Sequence, residues 1–216
     1  MAPPSGRERE IKLELASDRE RERLLGALPA PIEVKDQFNH YFDLPGGELR
    51  AAGVMLRLRI ESSIGAEASP TKERARITVK EGAKRDGAGL FDSAEREADL
   101  PLELARAVVA GETPFAEVPG SIVATLAARF GDLSTLAEWG TLTNRRSVHT
   151  VDEGFVVEVD QAVYPDGTVL DEVELESEDP EAARRWLLAF LAGIPVEARP
   201  STASKSERLA RARGKD

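Results

Sequence analysis

Charged side chains occupy every second position in several short segments of this chain, and their spacing suits the binding of metal ions and polyanions. Near the amino terminus, Glu8, Glu10 and Lys12 stand at alternate positions. Successive side chains of a strand point to opposite faces, so the two carboxylates would lie about 7 Å apart on one face. Both could then reach one hard cation, directly or through its waters. Taken alone, however, this segment is better explained as a solvated strand face.

Two later segments carry bases in the same alternating pattern. Arg57 and Arg59 place two forked guanidinium groups side by side, and Arg76 and Lys80 follow with Thr78 between them. Like charges on one face repel each other unless acids lie opposite, and phosphate oxygens are natural partners of forked donors. A phosphate site and a ladder of salt bridges to an acidic strand explain these segments equally well.

Three further segments carry acids at alternate positions: Glu95 and Glu97, Glu158 and Asp160, and Glu172, Glu174 and Glu176. An acidic outer surface would explain them and would agree with the formal net charge of −10. The opposite, apolar face of each strand nevertheless needs burial, and external helices could cover it. That arrangement turns the charged faces inward, where bases and divalent metals would balance the acids.

Composition restricts the class of protein. The 216 residues fit one large domain or two small ones, and 41% hydrophobic residues suffice for a core. The net charge argues against nucleic-acid binding, and the chain has no cysteine for a disulfide, a thiolate ligand or a nucleophile. His40 and His149 lack the spacing of a zinc site. Without a signal peptide or a long apolar run, we expect a soluble, cytoplasmic protein with no membrane partner; the oligomeric state stays open.

Alternation and helical spacing predict about eight strands with helices between and after them. The expected strands cover residues 7–15, 34–42, 54–60, 74–80, 91–100, 141–150, 155–164 and 169–176. The expected helices follow Ser17, fill much of 101–139, follow Asp179 and occupy part of the tail after 201. Residues 61–71 and 81–89 are expected to be loops, and Trp139 and Trp186 to be packing residues of helices. The pattern fits an α+β closed or nearly closed barrel with helices outside.

Two basic positions are not placed by the alternation alone. Either Arg145 or Arg146 can face the charged side of its strand, since apolar residues share a face with one and polar residues with the other. Lys205 lies beyond the last predicted strand, where a single lysine is typical of a solvated tail.

In their order and spacing, the charged segments resemble those of the CYTH domain family, the triphosphate tunnel metalloenzymes. The resemblance rests on the Glu-x-Glu-x-Lys motif of residues 8–12 and covers about residues 7–210. The other matching segments are Asn39-His40-Tyr41-Phe42-Asp43, Leu56-Arg57-Leu58-Arg59, Thr78-Val79-Lys80, Glu95-Arg96-Glu97, Glu158-Val159-Asp160, Glu172-Val173-Glu174-Leu175-Glu176 and Ser204-Lys205. Among members of the family, the motifs of this chain are most similar to those of bacterial inorganic triphosphatases.

The resemblance implies one domain over residues 1–216, an eight-stranded antiparallel barrel with a charged tunnel and a helical insertion at about 101–139. It implies Mg²⁺- or Mn²⁺-dependent hydrolysis of inorganic triphosphate to pyrophosphate and phosphate. The alternatives are a class IV adenylate cyclase, a thiamine or nucleoside triphosphatase, and a non-catalytic polyphosphate- or nucleotide-binding module. Aromatic residues make up only 5% of the chain, and we expect none in the charged strands, which favours a substrate without a ring.

The resemblance also implies roles for individual residues. Phosphate oxygens are expected to bind Lys12, Arg57, Arg59, Arg76, Lys80, Arg145, Arg146 and Lys205. Metal ions are expected to bind Glu8, Glu10, Glu158, Asp160, Glu172 and Glu174. Glu172 and Glu174, together with Lys80, are expected to be catalytic, and Glu95 and Glu97 to be further tunnel acids. Two departures thin the basic lining: Ser93 replaces a basic residue of the fifth strand, and Thr143-Asn144-Arg145-Arg146 replaces the Lys-x-Arg pair of the sixth.

Overall fold

Eight long antiparallel strands close into a barrel in the computed structural model, which describes residues 5–65, 71–151 and 154–213. The strands are β1 Ser5–Leu15, β2 Glu33–Asp43, β3 Val54–Gly65, β4 Lys72–Arg85, β5 Leu90–Leu100, β6 Ala137–Thr150, β7 Val156–Val163 and β8 Val169–Glu176. Their order around the barrel is β5-β4-β3-β2-β6-β7-β8-β1, and the pairing of β1 with β5 completes the circle. The predicted α+β antiparallel barrel is therefore confirmed.

The described residues form six α-helices around the barrel: α1 Asp18–Ala27, α2 Glu48–Ala51, α3 Leu102–Val109, α4 Ser121–Phe130, α5 Pro180–Ala192 and α6 Lys205–Arg213. As the sequence predicts, Ser17 caps α1 by accepting a hydrogen bond from the Glu20 amide at 3.4 Å. Asp179 caps α5 in the same way, with Pro180 at the first helical position. No helix in the described parts of the chain is both long and apolar enough to span a membrane.

The strands are longer than alternation alone indicates. Residues 61–65 extend β3 although they were expected to be loop, because their backbone pairs with β2 and β4. Of the rest of that expected loop, residues 66–70 lie outside the described residues. β4 likewise continues to Arg85 through a register shift between Glu81 and Lys84. β6 begins at Ala137. Trp139 therefore belongs to a strand, whereas the sequence predicted a helix there.

One short strand was not predicted. β9, Ala198–Pro200, pairs with β1 between Leu13 and Leu15, just beyond the part of β1 that pairs with β5. Three residues that include a proline show no alternation, so a local pattern could not reveal them. β9 directs the chain into α6 at one end of the barrel.

The apolar faces of the strands point outward and are covered by helices, as predicted. One layer joins β3 and β4 to α3 and α4, and its buried members include Leu58, Ile77, Val79, Ala105 and Leu126. A second layer joins β1, β7 and β8 to α1 and α5, and its buried members include Ile11, Val157, Leu175, Leu24 and Leu187. The charged face of each strand is thereby left to point into the barrel.

A third apolar cluster lies at one end of the barrel. It joins Tyr41, Leu142, Ala162 and Tyr164 of the barrel wall to Leu209 of α6. The contact holds α6 against this end and brings its first residue, Lys205, to the barrel interior.

The outer layer of α5 offers a matched test of this packing. Leu187 is fully buried, whereas its neighbour Leu188 is 51% exposed. We expect Leu187→Ala to lower the free energy of unfolding by about 2–5 kcal/mol, because it removes buried methyl groups and leaves a cavity. Leu188→Ala should change it by no more than about 0.5 kcal/mol. Urea unfolding followed by circular dichroism measures both, and equal effects would contradict the proposed burial of this helix face.

Candidate active site

Charged side chains from all eight long strands and from α6 line a cavity of about 840 Å³ inside the barrel. Glu10, Arg59, Lys80 and Glu174, which come from four different strands, all face it. Other predicted residues on its wall are Glu8, Lys12, Arg57, Arg76, Glu95, Glu97, Arg146, Glu158 and Lys205. The structure thus brings together most of the predicted site residues, which lie far apart in the sequence.

The cavity wall is divided by charge. Bases dominate the four adjacent strands β6, β2, β3 and β4, where they include Arg146, Lys35, Arg57, Arg59, Arg74, Arg76 and Lys80. Acids dominate the other four adjacent strands, β7, β8, β1 and β5, where they include Glu158, Glu174, Glu176, Glu8, Glu10, Glu95 and Glu97. We call these the basic wall and the acidic wall. A ligand that combines anions with cations fits between them.

Two ammonium groups lie among the acids. Lys12 Nζ is 3.0 Å from Glu10 Oε1 and 2.9 Å from Glu174 Oε1. Burial disfavours the charge of Lys12, but these two carboxylates outweigh burial and raise its pKa above the usual range. Lys80 contacts Glu8 in the same way. Burial lowers the pKa of Lys80, but the surrounding acids outweigh burial and raise it. Both lysines are therefore held in the charged form.

The acids of the acidic wall crowd one another. Burial raises the pKa of Glu10, against the charges of Lys12 and Lys80, and raises the pKa of Glu95 to about 8. Burial also disfavours the charge of Glu8, but the Lys80 ammonium outweighs it and lowers the pKa of Glu8 to about 2. Neighbouring carboxylates thus differ in their readiness to ionise, because burial outweighs the nearby ammonium charges at Glu10 and Glu95 but not at Glu8.

This donor set fits a divalent cation. Among the described residues, no three acids or histidines already converge as a ligand set. Glu8, Glu10 and Glu174 nevertheless turn carboxylates into the cavity, and carboxylate oxygens are the ligands that Mg²⁺ and Mn²⁺ prefer. Lys12 and Lys80 now lie beside these oxygens and balance part of their charge.

The basic wall holds two guanidinium groups that donate hydrogen bonds to neutral oxygen atoms and not to a carboxylate. Arg59 donates from Nε to Asn39 Oδ1 at 2.8 Å, and no ion pair reaches it among the described residues. Arg57 donates to Thr78 Oγ1 at 3.1 Å, and Glu97 Oε1 is 3.9 Å away. Burial, together with the like charges of Arg57 and Arg146, lowers the pKa of Arg59 to about 9. An arginine keeps its proton at neutral pH, so this unfavourable charge attracts an anion.

The structure decides between the two arginines of β6. Arg146 lies in the barrel, where it donates to Asp160 at 2.7 and 2.6 Å and to Glu174 at 2.6 Å. Arg145 lies outside, with 64% of its side chain exposed, and pairs with Asp36. The expectation that Arg145 binds phosphate is therefore corrected, because successive positions on a strand point to opposite faces.

Glu172 and Asp160 lie behind the cavity instead of on its wall. Lys205 Nζ is 2.7 Å from Glu172, 2.9 Å from Asp160 and 2.6 Å from Glu174. Glu172 also accepts a hydrogen bond from Ser201, and both acids are almost completely buried. The structure therefore does not support direct metal binding by these two acids, nor Glu172 as the group that activates water. They hold Lys205, which is not the solvated tail lysine that its position in the sequence indicates.

Sequence reasoning missed several residues of the cavity wall. Lys35, Gln37 and Tyr41 of β2 all face inward, and their spacing of two, continued through Asn39, could have revealed this. Aromatic rings also line the wall, at Tyr41, Phe91 and Trp139. The expectation that the charged strands carry no aromatic residue was therefore wrong, because it overlooked Phe91 at the start of the predicted strand 91–100, placed Trp139 in a helix and left β2 out of the charged set.

The rings form a distinct part of the wall. The ring centroids of Tyr41 and Trp139 are 5.7 Å apart, and the Arg50 guanidinium lies 4.3 Å from the Trp139 ring. Met55 lies in the same region of the cavity. An apolar, cation-covered surface of this kind offers contact to a planar group.

Comparison with known proteins agrees with the geometry. The protein HpAC1 from Hippeastrum, a proposed adenylyl cyclase described as having a dominant triphosphatase activity, is 25% identical. The match covers 95% of this chain and 96% of that one, with a TM-score of 0.85. A proposed adenylate cyclase from Bacillus halodurans is 22% identical over 94% of this chain and 98% of that one, with a TM-score of 0.66. PH1819 from Pyrococcus horikoshii is 18% identical over the same shares, with a TM-score of 0.60.

Among curated protein sequences, none matches this chain. A family model described as the CYTH domain matches residues 6–209, which include all eight long strands, β9 and most of α6. Both the motif order and the divided cavity agree with this match. The chain therefore belongs to the CYTH domain family.

Proposed function

We propose that this protein is a metal-dependent triphosphatase that hydrolyses inorganic triphosphate to pyrophosphate and phosphate inside the barrel. The observation that carries the proposal is the division of the cavity by charge. Arg57 and Arg59 offer guanidinium groups without close acids, and Glu8, Glu10 and Glu174 offer carboxylates across from them. A linear polyanion suits the first group and a hard cation suits the second.

The bases divide the work of holding the substrate. Arg57 and Arg59 are the first candidates for phosphate oxygens, and Arg76, Lys80 and Arg146 extend the same wall. Because the bases are fixed within a barrel, their charges are already oriented when the phosphate arrives and need little rearrangement. Lys12 and Lys205 lie on the opposite side and can meet phosphate oxygens from there.

The acids would hold Mg²⁺ or Mn²⁺. Glu8, Glu10 and Glu174 would hold such an ion, which would supply positive charge to offset that of the phosphates and to make water more acidic. With the acids balanced in this way, Lys12 and Lys80 would be free to turn from carboxylates to phosphate oxygens. Burial disfavours the charge of Glu174, but Lys12, Lys205 and Arg146 outweigh burial and lower its pKa well below the usual range. Glu174 is therefore ionised, and we propose that it orients the attacking water.

A second candidate is supported by the aromatic part of the wall. Trp139, Tyr41 and Met55 offer a surface for a planar ring, which inorganic triphosphate does not need. A thiamine or nucleoside triphosphatase, or a class IV adenylate cyclase, would use it. The likeness to HpAC1, with its dominant triphosphatase activity, supports hydrolysis over cyclisation. We further propose that residues 7–210 act as one domain on small molecules in the cytoplasm, without nucleic-acid or membrane partners.

A substrate panel separates these functions. We expect the fastest phosphate release from inorganic triphosphate, compared with thiamine triphosphate and ATP, each assayed with Mg²⁺ and with Mn²⁺. Faster release from either ring-bearing substrate would favour the second candidate, and cyclic AMP formation would identify a cyclase. Tight triphosphate binding without turnover would leave a non-catalytic binding module.

The acidic wall can be tested at Glu10. We expect Glu10→Gln to lower metal-dependent phosphate release by about 100-fold or more, because an amide cannot supply the negative charge that a metal ligand needs. The fold should persist, since glutamine has the shape of Glu10 and Lys12 keeps Glu174 as a partner at 2.9 Å. Asp36→Asn, on the outside of the same barrel, is the matched control and should leave turnover unchanged. Unchanged turnover in Glu10→Gln would refute the assignment.

The basic wall can be tested at Arg59. We expect Arg59→Gln to raise the KM for triphosphate by roughly 10- to 100-fold, because it removes charge-assisted hydrogen bonds to phosphate. The melting temperature should not fall, since no close carboxylate loses its partner and a repelling neighbour of Arg57 is removed. Arg145→Gln, on the exposed face of β6, should change neither quantity. A large loss of stability in Arg59→Gln would show that the residue serves the fold.

A further inference from the structure

Arg57 and Arg59 differ from the other bases that we propose to bind phosphate. Lys12, Lys80, Arg76, Arg146 and Lys205 each lie within 3.0 Å of at least one carboxylate oxygen. Arg57 and Arg59 instead donate to neutral oxygen atoms, those of Thr78 and Asn39. Both arginines sit on β3 in the middle of the basic wall.

Asn39 is held in one orientation by its neighbours. It lies buried on β2, directly across from Arg59 of β3 on one side and Leu142 of β6 on the other. Its Nδ2 donates to the Leu142 carbonyl at 3.4 Å, so Oδ1 is turned toward Arg59 Nε at 2.8 Å. Since Arg59 is bound only through Nε, both of its terminal nitrogens lack protein partners among the described residues.

Thr78 has a similar fixed polarity. Its buried hydroxyl donates to Glu97 Oε1 at 2.9 Å and accepts from Arg57 Nη2 at 3.1 Å. The single hydroxyl proton is therefore used on Glu97, and a lone pair is left for Arg57. Glu97 Oε1 lies 3.9 Å from Arg57 Nη2, which is too far for a hydrogen bond. The hydroxyl of Thr78 therefore lies between the carboxylate and the guanidinium.

We infer that Asn39 and Thr78 are positioning residues, which orient Arg59 and Arg57 for phosphate without neutralising them. The inference rests on the proposed function and deepens it. A carboxylate in either place would orient the guanidinium equally well but would cancel the charge that a phosphate has to meet. A neutral acceptor fixes the direction of the donors and leaves the full charge for the substrate. Neither residue touches the substrate; each acts through its arginine.

Asn39→Asp tests this directly, because aspartate has the same size and keeps an acceptor for Arg59 Nε. We expect the KM for inorganic triphosphate to rise by roughly 10- to 100-fold, with a much smaller change in kcat, since the lost attraction acts on bound substrate and transition state alike. Calorimetric titration with inorganic triphosphate alone should show the same loss of affinity. Melting temperatures of both proteins provide the control for folding.

The Thr78 pair tests the same idea without adding a charge inside the barrel. Thr78→Val keeps the shape and removes the hydroxyl, and we expect it to raise KM by about 2- to 10-fold. Thr78→Ser keeps the hydroxyl, and we expect it to leave the KM at the value of the unmodified protein. A residue that only packs would give the opposite order, because valine preserves the buried volume and serine does not.

The outcomes separate this inference from the proposed function. Normal turnover by the unmodified protein, combined with an unchanged KM in Asn39→Asp and equal KM values for Thr78→Val and Thr78→Ser, would overturn the inference alone. Absence of both binding and hydrolysis of triphosphate by the unmodified protein would overturn the proposed function and the inference with it. Should Asn39→Asp lower the melting temperature strongly, the Thr78 pair decides the question.

Discussion

The whole structure depends on one constraint: charges that point into a closed barrel must find partners there, because a buried unpaired charge is very unfavourable. The chain meets it by placing most of the acids on four adjacent strands and most of the bases on the other four. Where the walls meet, Arg146 joins Asp160 and Glu174, and Lys80 joins Glu8. Away from these contacts some charge stays unbalanced on each wall. A polyanion can balance the remaining charge of the basic wall, and a cation can balance that of the acidic wall.

The outside of the barrel makes this interior possible. Each strand has one apolar face, and only helices packed against those faces make it favourable for the charged faces to turn inward. The end of the chain then finishes the site from within. β9 leads into α6, Leu209 packs into the barrel end, and Lys205 is drawn among Asp160, Glu172 and Glu174. A lysine far along the chain thus lies beside the acidic wall and pairs with its buried acids.

The proposed function depends on how freely each charged group can respond to a ligand. Arg146 is committed to three acids and serves first to tie the walls together. Arg57 and Arg59 are bound by neutral atoms and keep their charge available. Burial raises the pKa of Glu10 and of Glu95, and a cation bound beside them would stabilise their ionised forms. The aromatic surface around Trp139 adds a region whose chemistry suits a ring, so the same charged bore could serve more than one triphosphate.

The sequence by itself determined the strands, their two-sided character and the inward charged face, since a period of two is a local property of the chain. It also determined the family, through the order of motifs from Glu8 to Lys205. It could not place Glu172 behind Lys205, choose Arg146 over Arg145, or bring Trp139 to the cavity. Those outcomes needed the register between strands, the start of β6 and the docking of α6. Such features arise from contacts between distant parts of the chain, which only the closed barrel creates, and no local pattern of residues encodes them.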